Sequence, residues 1–157
     1  MQLRRAERRD RELIVEMARL ACAFEDRPPP PSNDPAVLAL VPGPADVAVV
    51  ATEEAGDGLG AAWWHFHEPP LVIDDLGQPV PEIAMAVRED ARATGIGGRL
   101  LEQLAVEAAN EGFGALALNV HLRSRATRLY MRSGFRVAGK GRGWFGVAMV
   151  RSVDQTD

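Results

Sequence analysis

The chain contains very little lysine and cysteine, and these absences exclude several classes of protein. Among its 157 residues the only lysine is Lys140, so nearly all the basic residues are arginine, and the formal net charge is −4. A net acidic chain is not typical of a dedicated nucleic-acid-binding protein. The single cysteine, Cys22, cannot form an internal disulfide, and its place on an apolar helical face favours a buried thiol over a nucleophile.

Long apolar segments are absent as well. The sequence has no run of about 18 apolar residues and no apolar signal segment behind its arginine-rich start. Hydrophobic residues make up 46% of the chain, which is enough for a core without disulfides. We therefore expect a cytoplasmic domain that binds neither membrane nor nucleic acid, and we leave a homodimer open.

A glycine-rich segment, Arg92–Arg99, is the strongest functional signal. It follows an apolar run, Ile83–Val87, that is typical of a buried strand, and it precedes an amphipathic helix. Glycines allow backbone angles that other residues avoid, so the amides from Gly95 to Gly98 can point at one anion at the positive end of the helix dipole. The apolar face of that helix is formed by Leu100, Leu101, Leu104, Ala105 and Ala108.

The residues of this segment exclude two common phosphate loops. A Walker loop needs Gly-Lys-Ser/Thr, and a dinucleotide fingerprint needs a third glycine where Leu100 stands. A tight turn with no ligand is the simpler alternative. The pattern Arg-x-x-Gly-x-Gly, at Arg92, Gly95 and Gly97, resembles the pyrophosphate loop of the GNAT N-acetyltransferase superfamily, which binds acetyl-coenzyme A.

A second motif strengthens this resemblance. The segment from Ala126 to Phe135 is similar to the family's Ala-x-x-Leu-Tyr-x-x-x-Gly-Phe pattern, at the usual distance downstream. Its apolar spacing predicts a short helix with Tyr130 on the inward face, ended by Gly134 in a left-handed cap. The family often has asparagine where this chain has Arg123.

The resemblance implies an α/β (α+β) fold: a mixed, mostly antiparallel sheet of about six to seven strands flanked by about four helices. We expect a single domain over residues 1–157, an acetyl-CoA-binding core at about 82–136 and a flexible tail at 152–157. Local patterns predict a helix that Asp10 caps and that runs to about Phe24, and a strand over Gly60–Glu68.

The implied cofactor is acetyl-CoA, used as a co-substrate without a metal. In the family the central strand splays from its neighbour and the pantetheine arm inserts beside it, with a backbone amide facing the thioester oxygen. The cofactor-binding residues that the resemblance implies are Met85, Ala86, Val87, Arg92, Ala93, Thr94, Gly95, Ile96, Gly97, Gly98, Arg99, Asn119, Arg123 and Ala126.

The implied reaction transfers acetyl to an amine by direct attack, which requires a proton for the departing thiolate and a neutral amine. Tyr130 is the candidate general acid, and a tyrosine that only packs in the core is the alternative. Glu82, at the start of the central strand, is the candidate general base, although its match to the family's glutamate is shifted by one residue. His65 and His67, expected on one face of a strand, and His121 are alternative bases.

The acceptor is expected to be a primary amine of a small molecule or a peptide. Three segments predict its pocket: Phe24–Pro35, Trp63–Glu68 and the Gly139–Gly143 loop, with aromatic surface from Trp63, Trp64 and Trp144. An idle acetyl-CoA-binding sensor or assembly module is the competing function class, because a fold does not prove turnover.

Overall fold

The computed structural model of the chain describes residues 1–23 and 27–153, and within them it contains four α-helices and seven β-strands. The helices are α1 Arg11–Ala21, α2 Pro35–Leu40, α3 Ile96–Asn110 and α4 Ala126–Arg132. The strands are β1 Gln2–Arg5, β2 Ala48–Thr52, β3 Gly58–His65, β4 Glu82–Val87, β5 Ala115–His121, β6 Arg136–Lys140 and β7 Gly146–Ser152.

The strands form one mixed sheet in the order β1-β2-β3-β4-β5-β7-β6. β4 and β5 are parallel at the pair Glu82–Ala117, whereas β1–β2, β2–β3, β5–β7 and β6–β7 are antiparallel. β2 and β3 are buried along almost their whole length, which is typical of strands that are covered on both faces. The predicted fold class, a mostly antiparallel mixed sheet flanked by helices, is confirmed.

The chain divides into two compact units. The first unit comprises residues 1–65 and 84–104, and the second comprises residues 66–83 and 105–157. The prediction that residues 1–157 form a single domain stays a prediction. The expected flexible tail begins at Ser152, but Ser152 is the last residue of β7 and Val153 is buried. Residues 154–157 lie outside the described residues.

The first unit has an apolar core between α1, α2 and the inner strands. Apolar residues of α1 recur every three or four positions, so Ile14, Met17 and Ala18 form one buried face. They pack in a cluster with residues of β2, β3 and β4, and Trp63 adds a hydrogen bond from its indole nitrogen to Leu40 O at 2.9 Å. This bond satisfies the one polar atom of a fully buried tryptophan.

The second unit is built on the antiparallel strands β5, β7 and β6. Leu118 and Met149 face each other in the register of β5 and β7, and both are almost completely buried. β6 is the last strand of the sheet, and all five of its residues are exposed. A charged, exposed strand of this kind is a common way to limit edge-to-edge association.

The start of α1 differs from the prediction in its chemistry. Asp10 immediately precedes the helix, but its side chain caps no amide of α1. Its carboxylate instead accepts hydrogen bonds from the Glu7 amide at 2.7 Å and from both Arg4 terminal nitrogens at 2.7 and 2.9 Å. The Arg4 hydrogen bond lowers the pKa of the Asp10 carboxyl, against the opposing effect of burial.

Two predicted boundaries also move. α1 ends at Ala21, and the predicted end at Phe24 lies outside the described residues. β3 ends at His65, so the predicted strand extension to Glu68 is wrong. No helix among the described residues is both long enough and apolar enough to cross a membrane.

Candidate cofactor and catalytic sites

The glycine-rich segment follows β4 in the first unit, as predicted. A one-turn 3-10 helix, Glu89–Ala91, separates the strand from the segment, and α3 begins at Ile96. Arg92 is extended and its Nε donates to Val87 O at 3.2 Å, while the Thr94 hydroxyl donates to Ala91 O at 2.5 Å. These contacts fold the segment back onto the end of the strand.

Two residues of this segment have left-handed backbone angles. Gly95 has φ +85°, and Ala93, with φ +64°, is the one non-glycine residue with positive φ in the described chain. For an alanine this conformation costs about 1 to 2 kcal/mol. Such strain persists where the surrounding structure enforces it, and it is common at ligand-binding loops.

The start of α3 presents an open set of backbone donors. The Arg99 amide makes a bond of 3.2 Å to Gly95 O, so the three preceding amides, at Ile96, Gly97 and Gly98, have no carbonyl available within the helix. Ile96 is buried and anchors the helix start, while both glycines are only half-buried. An anion can therefore approach these amides without meeting a side chain on either glycine.

β4 itself alternates in exposure just before the loop. Ala84 and Ala86 are buried, whereas Met85 and Val87 are half-buried. A Cβ on Gly60 of β3 would lie 2.9 Å from Ala86 O, so only glycine allows this close approach of the two strands. The predicted contact residues of β4 thus belong to a tightly packed strand whose side chains near the loop are either small or partly exposed.

The second motif forms α4 in the second unit. The Ser124 hydroxyl accepts from the Ala126 amide at 3.2 Å at the helix start. At its end Gly134 has φ +91°, its amide bonds Met131 O, and the Phe135 amide bonds Tyr130 O. This is the Schellman pattern, and it confirms the predicted left-handed cap.

Tyr130 packs at the end of this helix. Its ring meets the Phe135 ring edge-on, with centroids 5.9 Å apart. The side chain is partly exposed as a whole, but its hydroxyl lies among protein atoms, and this burial raises the pKa of Tyr130 to about 12. The phenol therefore stays protonated throughout the neutral range.

Glu82 is the centre of a polar cluster in the second unit. Its buried carboxylate forms an ion pair with the guanidinium of Arg142, from the loop between β6 and β7. A nitrogen of His67 lies within 4.8 Å of a Glu82 carboxylate oxygen. Sequence reasoning missed Arg142, and its only signal was an arginine flanked by glycines in the Gly139–Gly143 loop.

Asn119 belongs to this cluster through its side-chain oxygen. It is exposed on β5, and its Oδ1 accepts from the Arg142 backbone amide at 2.8 Å. The side-chain oxygen of Asn119 is therefore already engaged, and its side-chain NH2 is the group left for the predicted cofactor contact.

Arg123 lies on a small aromatic surface after β5. Its guanidinium carbon is 5.6 Å from the centre of the Phe145 ring, and His121 contacts the same ring at 5.4 Å between centroids. The Arg123 amide donates to Nδ1 of His121 at 3.1 Å. A neutral His121 accepting this bond carries its proton on Nε2, which leaves no free lone pair for a general base.

Several of the remaining residues predicted for the acceptor pocket and the general base differ from the prediction in their strand placement or burial. His65 is the buried last residue of β3, whereas His67 lies beyond the strand, so the prediction that His67 belongs to this strand is wrong. Trp63 and Trp64 are buried, so neither offers surface to an acceptor, whereas Trp144 is 95% exposed.

The predicted acceptor loop includes residues 24–26, which lie outside the described residues. The described part of this loop helps to form an open cavity of ≈ 270 Å³, which is lined by Cys22, Arg27, Pro28, Pro30, Asp34 and Ala36. Burial, and to a lesser extent the charge of Asp34, raises the pKa of the Cys22 thiol. A thiol with a raised pKa is a poor nucleophile at neutral pH.

Comparison with known proteins agrees with the two motifs. A family model described as the acetyltransferase (GNAT) domain matches residues 44–137, more than half of the chain. The chain therefore belongs to the GNAT acetyltransferase family.

Solved structures of the family share the fold over nearly the whole chain. A GCN5-related N-acetyltransferase from Kribbella flavida is 26% identical, with a TM-score of 0.70 and coverage of 96% of each chain. A phosphinothricin acetyltransferase from Sinorhizobium meliloti, in complex with AcCoA, is 22% identical, with a TM-score of 0.69 and coverage of 97% of this chain and 88% of its own.

A third structure is yncA, a putative acetyltransferase from Salmonella typhimurium with its cofactor acetyl-CoA. It is 20% identical, with a TM-score of 0.70 and coverage of 100% of this chain and 96% of its own. No curated protein matches the chain.

Proposed function

We propose that this protein is an N-acetyltransferase that moves the acetyl group of acetyl-CoA to a primary amine of a small molecule or peptide. The observation that carries this proposal is the loop from Arg92 to the start of α3, where backbone strain and unpaired helix amides combine into an anion site. The acetyl-CoA held by the relatives from S. meliloti and S. typhimurium supports the same cofactor.

The cofactor's pyrophosphate binds the amides of Ile96, Gly97 and Gly98, and the exposed Arg92 and Arg99 add positive charge. The other predicted contacts in this segment, Ala93, Thr94 and Gly95, shape the loop. Met85, Ala86 and Val87 provide backbone groups to the pantetheine arm, and one of their amides polarises the thioester oxygen. Asn119, Arg123 and Ala126 complete the proposed cofactor contacts.

The reaction is a direct attack within a ternary complex. The amine nitrogen bonds to the thioester carbon, the carbon–sulfur bond breaks, and the thiolate takes the proton of the Tyr130 hydroxyl. The proton that the nitrogen loses as it becomes an amide returns to the Tyr130 oxygen, directly or through water. With its pKa raised to about 12, this phenol donates only to a strong base. The coenzyme A thiolate is a strong base where water is excluded, because burial raises the proton affinity of the sulfur as well as that of the phenolate.

Glu82 accepts the proton that the ammonium group of the acceptor must lose before attack. Its side chain is buried and forms an ion pair with Arg142. His67, within 4.8 Å of the carboxylate, is the alternative group that could take this proton. No step uses a metal.

A thiol-release assay over a panel of primary amines tests this function. Wild-type protein should release coenzyme A thiol only when an accepted amine is present, and mass spectrometry should detect the acetylated amine. Gly97→Val should bind the cofactor more weakly, and Tyr130→Phe should bind the cofactor but turn over slowly. Tight binding of acetyl-CoA without transfer to any amine would instead favour the idle cofactor-binding module.

A further inference from the structure

Arg142 makes three polar contacts that link its loop to separate parts of the second unit. One terminal nitrogen pairs with the Glu82 carboxylate, the other donates to Pro69 O at 3.2 Å, and the backbone amide donates to Asn119 Oδ1 at 2.8 Å. We propose that Arg142 is a positioning residue that fixes the place and orientation of the Glu82 carboxylate for proton transfer. This inference rests on the proposed function.

The backbone around Arg142 permits very little variation. The Gly141 amide donates to Gly146 O at 2.9 Å, which closes the loop. A Cβ on Gly141 would overlap Asn119 Oδ1, and a Cβ on Gly146 would overlap the Arg142 carbonyl oxygen. Both glycines are therefore needed for this arginine to reach its position, and the loop is built for close approach.

The charge arrangement explains why an arginine is needed. The Glu82 side chain is 7% exposed, and an ionised carboxylate at that depth is costly without a cation. The Arg142 side chain is 37% exposed, so water still solvates part of the guanidinium while its inner edge faces the carboxylate. The two terminal nitrogens bind two different acceptors, and this fixes the plane of the guanidinium as a single ammonium cannot.

A purely structural ion pair is the competing explanation. A structural pair would change stability, and its loss would reduce activity whether or not Glu82 is present. A positioning residue acts through Glu82, so its loss should have no further effect once the carboxylate is gone. Non-additivity of two substitutions on kcat separates these roles.

The experiment compares Arg142→Gln, Arg142→Lys, Glu82→Gln and the double variant Arg142→Gln/Glu82→Gln with an accepted amine. Arg142→Gln should lower kcat by about 10- to 100-fold, the size expected when a reacting group is misplaced by about 1 Å. Its Kd for acetyl-CoA should not change. Arg142→Lys keeps the charge and should recover part of the rate, and the double variant should be no slower than Glu82→Gln alone.

Arg136→Gln, an exposed arginine on β6 of the same hairpin, is the matched control and should keep the wild-type rate. Thermal unfolding checks that each variant is folded. If Arg142→Gln is not, Arg142→Lys replaces it and should turn over more slowly than the wild type, with no further loss when combined with Glu82→Gln. The inference is overturned by an unchanged kcat in Arg142→Gln, by an unchanged kcat in Glu82→Gln, or by additive losses in the double variant. Failure of the proposed function looks different, because the wild-type protein itself would acetylate no amine.

Discussion

The glycine-rich loop of the first unit and the Glu82–Arg142 cluster of the second are both polar sites, but their residues come together in different ways. The loop is contiguous: Arg92–Arg99 lie side by side in the chain, and their geometry follows from local backbone preferences. The cluster draws on Pro69, Glu82, Asn119 and Arg142, which lie on separate elements. A contiguous site can be recognised from sequence spacing, whereas a dispersed one requires the tertiary structure.

The largest expected effect concerns Tyr130, which the contiguous second motif identified. Tyr130→Phe should lower kcat by about 10²- to 10⁴-fold, the usual contribution of a positioned general acid, while the Kd for acetyl-CoA stays the same. Steady-state kinetics and calorimetry measure the two quantities. Wild-type turnover together with a lower melting temperature would show that this tyrosine only packs in the core.

The next effect tests the loop directly. Gly97→Val places a branched side chain among the amides of the α3 start and should weaken acetyl-CoA binding by about 10- to 100-fold, the loss of one or two hydrogen bonds to a charged group. The affinity for acetyl-pantetheine, which lacks the pyrophosphate, should stay unchanged.

Gly114→Val is the matched control, because a Cβ at Gly114 meets no atom within 4 Å. It should leave both affinities as in the wild type. If a folded Gly97→Val protein keeps its preference for acetyl-CoA over acetyl-pantetheine, the loop is only a tight turn. It would then not be a binding site to compare with the Glu82–Arg142 cluster.

A smaller effect is expected at a second ion pair between residues of separate elements. The Arg4–Asp10 pair also joins two elements and was not expected from the sequence. Asp10→Asn should lower the free energy of unfolding by about 1 to 3 kcal/mol, the value of hydrogen bonds to a charged group, as measured by denaturant unfolding at neutral pH.

The pH dependence follows from the lowered pKa of Asp10. Its stabilisation is fully present above the unfolded carboxyl's pKa of about 4, and it is lost as the pH falls through the lower, folded value. The difference in stability between wild type and Asp10→Asn should therefore shrink below about pH 4. A constant difference down to pH 2 would contradict the pairing.

The smallest effect is spectroscopic. Tyr130 is the only tyrosine, so the rise in ultraviolet absorbance on phenolate formation reports this residue alone. Its midpoint should lie near the pKa of about 12 rather than the ordinary value of about 10. The associated stability is present below about pH 10 and is lost as the pH rises toward 12. A midpoint near 10 would indicate a hydroxyl open to water.

Several local predictions agree with the structure because one short segment decides them. The left-handed turn at Gly134 and the start of α3 after Gly95 depend on residues within a few positions, and both are observed. Asp10 shows the limit of such reasoning. Its type and position predict a helix cap, but the fork of Arg4 offers the carboxylate two charge-assisted hydrogen bonds, which a cap cannot match.

The sequence by itself determined the sheet-and-helix class, the glycine loop, the α4 motif and the family, because each depends on residue spacing along one stretch of chain. The tertiary structure alone decided that β3 stops at His65, that Trp63 and Trp64 are buried, and that Arg142 meets Glu82. The physical reason is that ion pairs and burial depend on which distant segments pack together. Sequence spacing carries no information about that packing beyond a few residues.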